Sequence, residues 1–284
     1  MLEGTFLTPD NLGIQVDAGY MFDDNVTRAQ AGSQVGQGKL ADSSYSVNLG
    51  KSMALPLSDH ARVLLSGTVG GESFYRYDGL SRLSGGVQGE LQYRGSADFS
   101  TPTLGVFIRT FADQYHSDLR DGHRSSGGIS IRQPVTDRIQ LFAAVARNQR
   151  QSKSEVFDTR DRAARINLDY ELSATSTIYL GGEYRRGNLV TTGPAPSIYG
   201  KRGVAALDDA YPGQQIYSYR LDGATVISTL GYNIGLGSRD SIDFSWRRIS
   251  SKLDDASTTA SYAVNTPAPS YIANQFTVVY LVRF

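Results

Sequence analysis

Arginine and carboxylate side chains alternate with apolar residues along much of this chain. Between Ala164 and Leu172, the residues Arg165, Asp169 and Glu171 share one parity, and the residues of the other parity are apolar. Guanidinium groups hold carboxylates and phosphates through paired hydrogen bonds. A face of this kind predicts either recognition of a small polar or anionic solute, or ion pairing within the protein.

Candidate catalytic groups are few. The chain has three histidines and no cysteine, and it contains no Gly-x-Ser-x-Gly, His-Glu-x-x-His or phosphate-loop motif. Asp113 and His116, near the predicted end of the fifth strand, are the only acid–histidine pair that we consider for catalysis. A loop histidine beside an aspartate is usually only solvated, so we expect no enzyme and no cofactor.

One short acidic run could bind a cation. Asp23, Asp24 and Asn25 are consecutive oxygen donors of the kind that Ca²⁺ prefers. The same residues also suit the solvated start of a loop, which is the simpler interpretation. We therefore predict no metal site.

Composition limits the class of protein. Lys+Arg and Asp+Glu number 28 each, so nothing indicates a nucleic-acid partner. Mean hydropathy is −0.30, and no apolar run approaches the roughly 18 residues that a membrane helix needs. A transmembrane barrel is compatible with these values because only alternate residues face lipid. A soluble β-sandwich that acts as a binding module is the other all-β interpretation.

Period-two alternation predicts twelve strands in an all-β chain. The parity slips near Gly223, where we expect a bulge. The predicted strands are Leu12–Phe22, Tyr45–Leu55, Arg62–Arg76, Leu83–Tyr93, Leu104–Ala112, Gly127–Val135, Ile139–Arg147, Ala164–Leu172, Ile178–Arg186, Tyr217–Ile234, Ile242–Ile249 and Tyr271–Phe284.

The connections alternate between short and long. Short turns opposite longer external loops are the layout of an antiparallel up-and-down transmembrane β-barrel, whereas a sandwich has no reason to sort its loops. We expect a short periplasmic leader over residues 1–11 and a barrel over residues 12–284. The loop Gly187–Gln214 is rich in Gly and Pro, which suits a mobile external loop or one that folds into the pore.

The last strand ends with the chain. Its apolar parity holds an aromatic or β-branched residue at each position: Phe276, Val278, Tyr280, Val282 and Phe284. This pattern resembles the C-terminal signature of Gram-negative outer-membrane barrels, which the outer-membrane assembly machinery reads. The resemblance implies location in the bacterial outer membrane, contact with membrane lipids, and a periplasmic C-terminus.

If the apolar parity faces lipid, the other parity lines a lumen. Twelve strands about 4.8 Å apart give a backbone diameter of about 24 Å. The candidate pore-lining residues are Arg62, Glu72, Arg76, Glu90, Arg109, Arg132, Arg147, Arg165, Asp169, Glu171, Glu183, Arg185, Arg220, Asp243 and Arg247. Arginines and carboxylates in a lumen also pair simply because neither tolerates isolation, so an open pore and a plugged barrel are both consistent with this lining.

Two resemblances give candidate functions. The strand number and the lumen arginines are similar to those of oligogalacturonate channels, which implies passive diffusion of small polar or anionic solutes such as oligosaccharides. The segment Tyr20–Arg28 resembles the opening hairpin of barrels that include putative porins and exopolysaccharide-export proteins. It implies the alternative of a barrel component in exopolysaccharide or lipoprotein export or assembly. A monomer is the default for a barrel of this size.

Overall fold

The computed structural model describes residues 10–29, 39–193, 204–254 and 270–284. These residues include no helix long and apolar enough to cross a membrane. Three single-turn 3₁₀ helices lie in loops, at Asp78–Leu80, Asp118–Arg120 and Glu155–Phe157. The strands are β1 (Asp10–Asp23), β2 (Asp42–Ser58), β3 (Ala61–Phe74), β4 (Arg82–Arg94), β5 (Thr103–Tyr115), β6 (Gly122–Thr136), β7 (Ile139–Ser152), β8 (Thr159–Ser173), β9 (Ser176–Gly193), β10 (Val204–Leu207), β11 (Tyr217–Gly235), β12 (Asp240–Leu253) and β13 (Ser270–Arg283).

Twelve of these strands form a closed antiparallel barrel. Each of β1 to β8 pairs with the next strand in sequence, β9 pairs with β11, β11 with β12, β12 with β13, and β13 with β1. The four-residue β10 adds to the edge of β11 at Tyr217–Arg220, beyond the point where the pairing with β12 ends. The predicted fold class and strand number are confirmed. A closed ring excludes the alternative of a two-sheet sandwich.

The outer face of the wall is apolar. Ile108 is 68% exposed and Val106 is 59% exposed on β5, and the residues that alternate with them point inward. Exposed tyrosines form two girdles at the ends of this apolar band, as in barrels that span a lipid bilayer. One girdle contains Tyr20, Tyr45, Tyr75 and Tyr184, and the other contains Tyr93, Tyr170 and Tyr280.

The two ends of the barrel differ as predicted. At the short-turn end, two-residue connections join β2 to β3, β6 to β7 and β8 to β9. At the long-loop end, each connection has six or more residues, and the longest ones include residues outside the described ranges. The β4–β5 connection, residues 95–102, is an exception, because it is longer than three of the connections at the long-loop end. Several strands extend beyond their predicted ends toward the long loops; β7 continues to Ser152 and β9 to Gly193. The alternation in sequence fades there because the strands have left the apolar band.

The chain terminus closes the barrel seam. The Phe284 N–H donates to the Ile14 carbonyl at 2.8 Å, and the Ile14 N–H donates to the Phe284 carbonyl at 3.1 Å. Gly13, at φ +78°, lies beside this junction, and a Cβ there would stand 2.2 Å from the Phe284 carbonyl oxygen. The final residue is therefore part of the ladder, as the period-two pattern predicts.

The bulge expected near Gly223 is absent. β11 pairs with β9 in an unbroken register from Tyr217 to Ile234. The apolar parity changes because Tyr219 and Leu221 point inward and are buried in an apolar cluster at the long-loop end. A change in the environment of the inner face, and not an extra residue, explains the slip.

Candidate functional site: the lumen and its loop cap

Strand register places most of the predicted lumen residues on the inner face. Their side chains have the parity opposite to that of the exposed apolar residues on the same strands. The inward residues are Arg62, Glu72, Glu90, Arg109, Arg132, Arg165, Asp169, Glu171, Glu183, Arg185, Asp243 and Arg247.

Three of the predicted lumen residues lie elsewhere. Arg76 is exposed in the loop after β3, because that strand ends at Phe74. Arg147 shares the parity of Val145, which is 51% exposed, so it lies on the outer face. Arg220 donates to the carbonyls of Glu155 and Asp158 at 2.6 and 3.2 Å, and so it anchors a loop.

The middle of the lumen carries an excess of unpaired guanidinium groups. Among the described residues, none forms a hydrogen bond or ion pair with the side chain of Arg109, Arg132 or Arg247. Arg165 and Arg185 share a single carboxylate, that of Glu183; the Arg165 contact is 3.1 Å. We call these five arginines the arginine belt. Direct ion pairs balance only part of its positive charge, although the carboxylates of Glu90, Asp169 and Asp243 lie on the same inner face.

A cavity borders the belt. Its volume is about 150 Å³, and Glu90, Arg109, Arg132 and Arg165 contribute to its lining. Arg109 lies 5.9 Å from the ring centroid of Phe107, and Arg132 lies 5.5 Å from that of Phe142. Stacking on aromatic rings orients guanidinium groups without neutralising them. The cavity therefore offers positively charged, oriented donors to a small polar or anionic solute.

Nearer the long-loop end, the lumen charges are paired. Arg82 lies 3.2 Å from Glu72, and Arg124 lies 3.0 Å from Asp113. A second cavity of about 260 Å³ lies between these pairs. Arg82 and Arg124 are not among the predicted lumen residues, because the predicted strands stop one to three residues short of them. Continuing the parity of β4 and β6 would identify both.

Above these pairs, loops from distant strands meet across the mouth of the barrel. The loop cap comprises the described residues 24–29, 75–81, 116–121, 153–158 and 208–216. The β3–β4 and β9–β11 connections stand on opposite sides of the ring. Even so, a Cβ on Gly79 would lie 2.3 Å from the Cα of Ala210. Contacts between opposite sides of the ring can form only over the lumen, so the cap covers the opening.

Arg120 joins three segments of the cap. Its guanidinium lies 2.5 Å from the fully buried carboxylate of Asp208 and 4.2 Å from the ring centroid of Phe157. The Ser218 hydroxyl donates to the same carboxylate at 2.5 Å, and the Ser117 hydroxyl donates to neighbouring Asp209. These contacts connect the β5–β6, β7–β8 and β9–β11 loops in one buried polar network.

Tyr211 joins the cap to the first loop. Its hydroxyl donates to the Val26 carbonyl at 3.1 Å, and its ring packs edge-on against Tyr77 at 5.5 Å. Burial raises the pKa of Tyr211 to about 12 despite nearby Arg120, so the phenol stays protonated as a donor. Tyr211, Val26, Leu80, Ala210 and Ile216 form a buried apolar cluster.

The acidic run in the first loop is occupied by protein donors. Asp23 forms a bidentate pair with Arg28 at 2.9 and 2.7 Å. Asp24 accepts from the backbone and side-chain N–H groups of Asn274 at 2.7 and 2.8 Å. The Arg28 carbonyl accepts from Thr191 across the mouth at 2.7 Å. The carboxylate contacts hold the first loop against β13, and the Arg28 carbonyl holds it against β9.

The candidate acid–histidine pair is not brought together. The Asp113 carboxylate pairs with Arg124 and accepts from the Ser84 hydroxyl at 2.7 Å. His116 is exposed in the following loop, and no hydrogen bond joins it to Asp113 among the described residues. The loop Gly187–Gln214 also differs from expectation, because its described parts form the end of β9, the strand β10 and a segment of the cap.

One feature of the sequence indicates that the loops pack together in a cap. Val156, Phe157 and Leu80 are apolar residues inside otherwise polar loops, and all three are buried. Apolar residues in predicted loops favour packing over free solvation. Strand periodicity carries no information about loop-to-loop contacts, and therefore the pairing of Arg120 with Asp208 could not be found in this way.

Solved structures share this fold. The COG4313 outer membrane channel from Pseudomonas putida F1 is 11% identical with a TM-score of 0.59, and the alignment covers 96% of each chain. The KdgM porin is 10% identical over 95% of this chain and 99% of that chain, with a TM-score of 0.47. The NanC porin is 9% identical over 95% and 100%, with a TM-score of 0.48.

The sequence comparisons add no family. No protein-family model matches the chain, and no curated protein matches it. The fold thus defines the class: a twelve-stranded barrel of the outer-membrane type, similar in architecture to the outer membrane channel from Pseudomonas putida F1.

Proposed function

We propose that this protein is an outer-membrane channel for small polar solutes, with a preference for anionic ones, and that the loop cap is its closed state. The observation that carries the proposal is the arginine belt, in which Arg109, Arg132 and Arg247 face the lumen without a carboxylate partner among the described residues. In the proposed orientation, the short-turn end lies in the periplasm and the loop cap lies outside the cell.

Charge selects the class of solute. A barrel that only needed to fill its lumen would pair each arginine with a carboxylate, since isolated charges are costly to bury. Guanidinium groups left unpaired beside a cavity are suited to carboxylate or phosphate groups, which they bind through charge-assisted hydrogen bonds. Acidic sugars and other small organic anions fit this chemistry better than neutral sugars do.

The cap bears on the export alternative. A barrel that passes a polysaccharide chain needs a continuous path for a polymer. Loops that meet across the mouth through Arg120, Asp208 and Tyr211 give that role no support. For small solutes, the same loops are compatible with a channel that opens when the cap moves, as lids over a site do on about the microsecond to millisecond scale.

Reversal potential in planar bilayers tests the proposal. With a salt gradient across the membrane, the wild-type channel should show anion preference, and Arg109→Gln combined with Arg132→Gln should move the reversal potential toward zero or cation preference. Arg138→Gln is the matched control, because Arg138 is exposed in a short turn outside the lumen. An unchanged reversal potential in the double variant would refute the anion preference, and the absence of any conductance, also after cap-opening substitutions, would refute the channel.

A further inference from the structure

The outer face carries a row of three arginines near the long-loop end. Arg147 on β7 lies directly opposite Arg162 on β8, which lies directly opposite Arg186 on β9. All three are exposed and share the parity of lipid-facing residues such as Val145 and Tyr184. They stand where the apolar band of these strands ends.

Two of these three arginines have no carboxylate partner among the described residues. Like charges directly opposite each other across strands destabilise a sheet, so three neighbouring arginines need compensation. Arg186 has it from Asp254, with two contacts of 2.7 and 2.8 Å. Arg147 and Arg162 form no hydrogen bond or ion pair with any described residue. An anion between these two guanidinium groups would relieve their repulsion.

An apolar groove runs from the row toward the short-turn end. Its volume is about 540 Å³, and its lining includes Ile129, Val145, Tyr184 and all three arginines of the row. Gly127 and Ala164 form part of its wall, where larger side chains would fill the space. A soluble anion would use only the arginines. The groove indicates a ligand with a hydrocarbon chain attached to its anionic group.

We propose that Arg147 and Arg162 bind a phosphate of an acylated phosphoglycolipid in the outer leaflet, with one acyl chain in the groove. Adjacent strands are about 4.8 Å apart, so two guanidinium forks can hold one phosphate from both sides. Arg favours such bidentate phosphate contacts, and clustered cations at a membrane surface attract anionic headgroups. The inference rests on the outer-membrane location and does not depend on conduction.

Native mass spectrometry of the intact barrel tests this site. The protein is released from detergent micelles that contain diphosphoryl lipid A, a phosphate-free acylated glucosamine lipid, or phosphatidylglycerol. Wild-type protein should retain lipid A preferentially, and Arg147→Gln with Arg162→Gln should weaken its retention about tenfold or more, since each charge-assisted contact is substantial. Arg248→Gln is the control, because Arg248 is an exposed, outward cation on β12 outside this groove.

Each outcome decides the proposal. Equal retention of lipid A by the double variant, or equal retention of the phosphate-free lipid by wild type, would overturn the phosphate site. Preference for phosphatidylglycerol would overturn the glycolipid assignment. Heat-dependent gel mobility verifies that each variant forms a barrel. Lipid A retention by a protein that never conducts would support this site and refute the channel instead.

Discussion

Arg120 and Asp208 lie 2.5 Å apart across the mouth of the barrel, although four strands, β6 to β9, separate the loops that carry them. Asp208 is fully buried, and Arg120 is 14% exposed. A buried ion pair that joins distant loops stabilises one arrangement of those loops over others. This pair therefore makes the loop cap a defined structural unit and not a set of independent loops.

Removing one partner should open the cap. Asp208→Asn leaves the Arg120 charge buried without its partner, a change that costs about 3 kcal/mol or more in comparable pairs. That cost corresponds to an open fraction higher by roughly 100-fold. Single-channel recordings should then show much longer open times at the same voltage.

The control for this prediction is Asp118→Asn. Asp118 contacts Lys153 at 3.4 Å, but its side chain is 81% exposed, and exposed pairs contribute little. Open times should match those of the wild type. If Asp208→Asn behaves in the same way as Asp118→Asn, the cap does not control conduction.

Steric displacement offers an independent route to the same state. Gly79→Ala would place a Cβ 2.3 Å from the Cα of Ala210, closer than a packed backbone allows. The two loops must separate, and protease cleavage within residues 75–81 and 208–216 should become faster. Gly95→Ala, at a position with no atom within 4 Å, should leave the cleavage rate unchanged. Both variants should keep the heat-dependent gel shift of the wild type. Unchanged cleavage in Gly79→Ala would contradict the close approach of these loops.

Much of this architecture could be predicted from the sequence, and the reason is physical. An outward-facing residue and a lumen-facing residue alternate on each strand, so the orientation of residues such as Arg165 and Glu183 can be predicted from parity alone. Parity gave a wrong prediction for Arg147, which lies on the outer face, because a strand that leaves the apolar band carries polar residues on both faces. Parity also predicted a bulge near Gly223 that is absent, because the inner face becomes apolar beneath the cap at residues such as Tyr219.

Strand parity could not predict that Arg109 is unpaired. Whether an inward arginine meets a carboxylate depends on the register between neighbouring strands. Arg165 lies opposite Glu183, whereas Arg109 lies opposite Gln88 and Ser126. Overall counts of 28 cations and 28 carboxylates suggest matched pairing. The structure instead separates directly paired charges near the cap from the arginine belt, in which three of the five arginines form no ion pair with a described residue.

The cap should loosen in acid and not at neutral pH. Burial opposes ionisation of Asp121, but the Tyr115 N–H and the Lys153 ammonium outweigh it and lower the pKa of Asp121 below 3.8. A lowered pKa means that the stabilisation is complete above pH 3.8 and is lost as pH falls through the lower folded-state value. Open probability should therefore stay constant from pH 7 to about pH 4 and rise only below that.

Asp121→Asn serves as the comparison for the acid effect. It removes the titrating group, so part of the acid-induced rise should disappear, and open probability at neutral pH should already be higher. The measurement is open probability against pH for both proteins. A rise that begins near neutral pH would mean that another group controls the cap.

A substitution at Phe284 can distinguish an effect on barrel stability from an effect on recognition by the assembly machinery. Its backbone closes the seam with Ile14, whereas its side chain is 68% exposed. Phe284→Ala keeps both seam hydrogen bonds, so refolding of the purified chain into detergent should be almost unchanged. If the assembly machinery reads the terminal aromatic, the amount of barrel in the outer membrane of living cells should nevertheless fall severalfold. Phe244→Ala, an exposed outward aromatic on the neighbouring strand β12, controls for the loss of lipid contact. Equal cellular yields for the two variants would show that the aromatic at Phe284 acts only as a lipid-facing side chain.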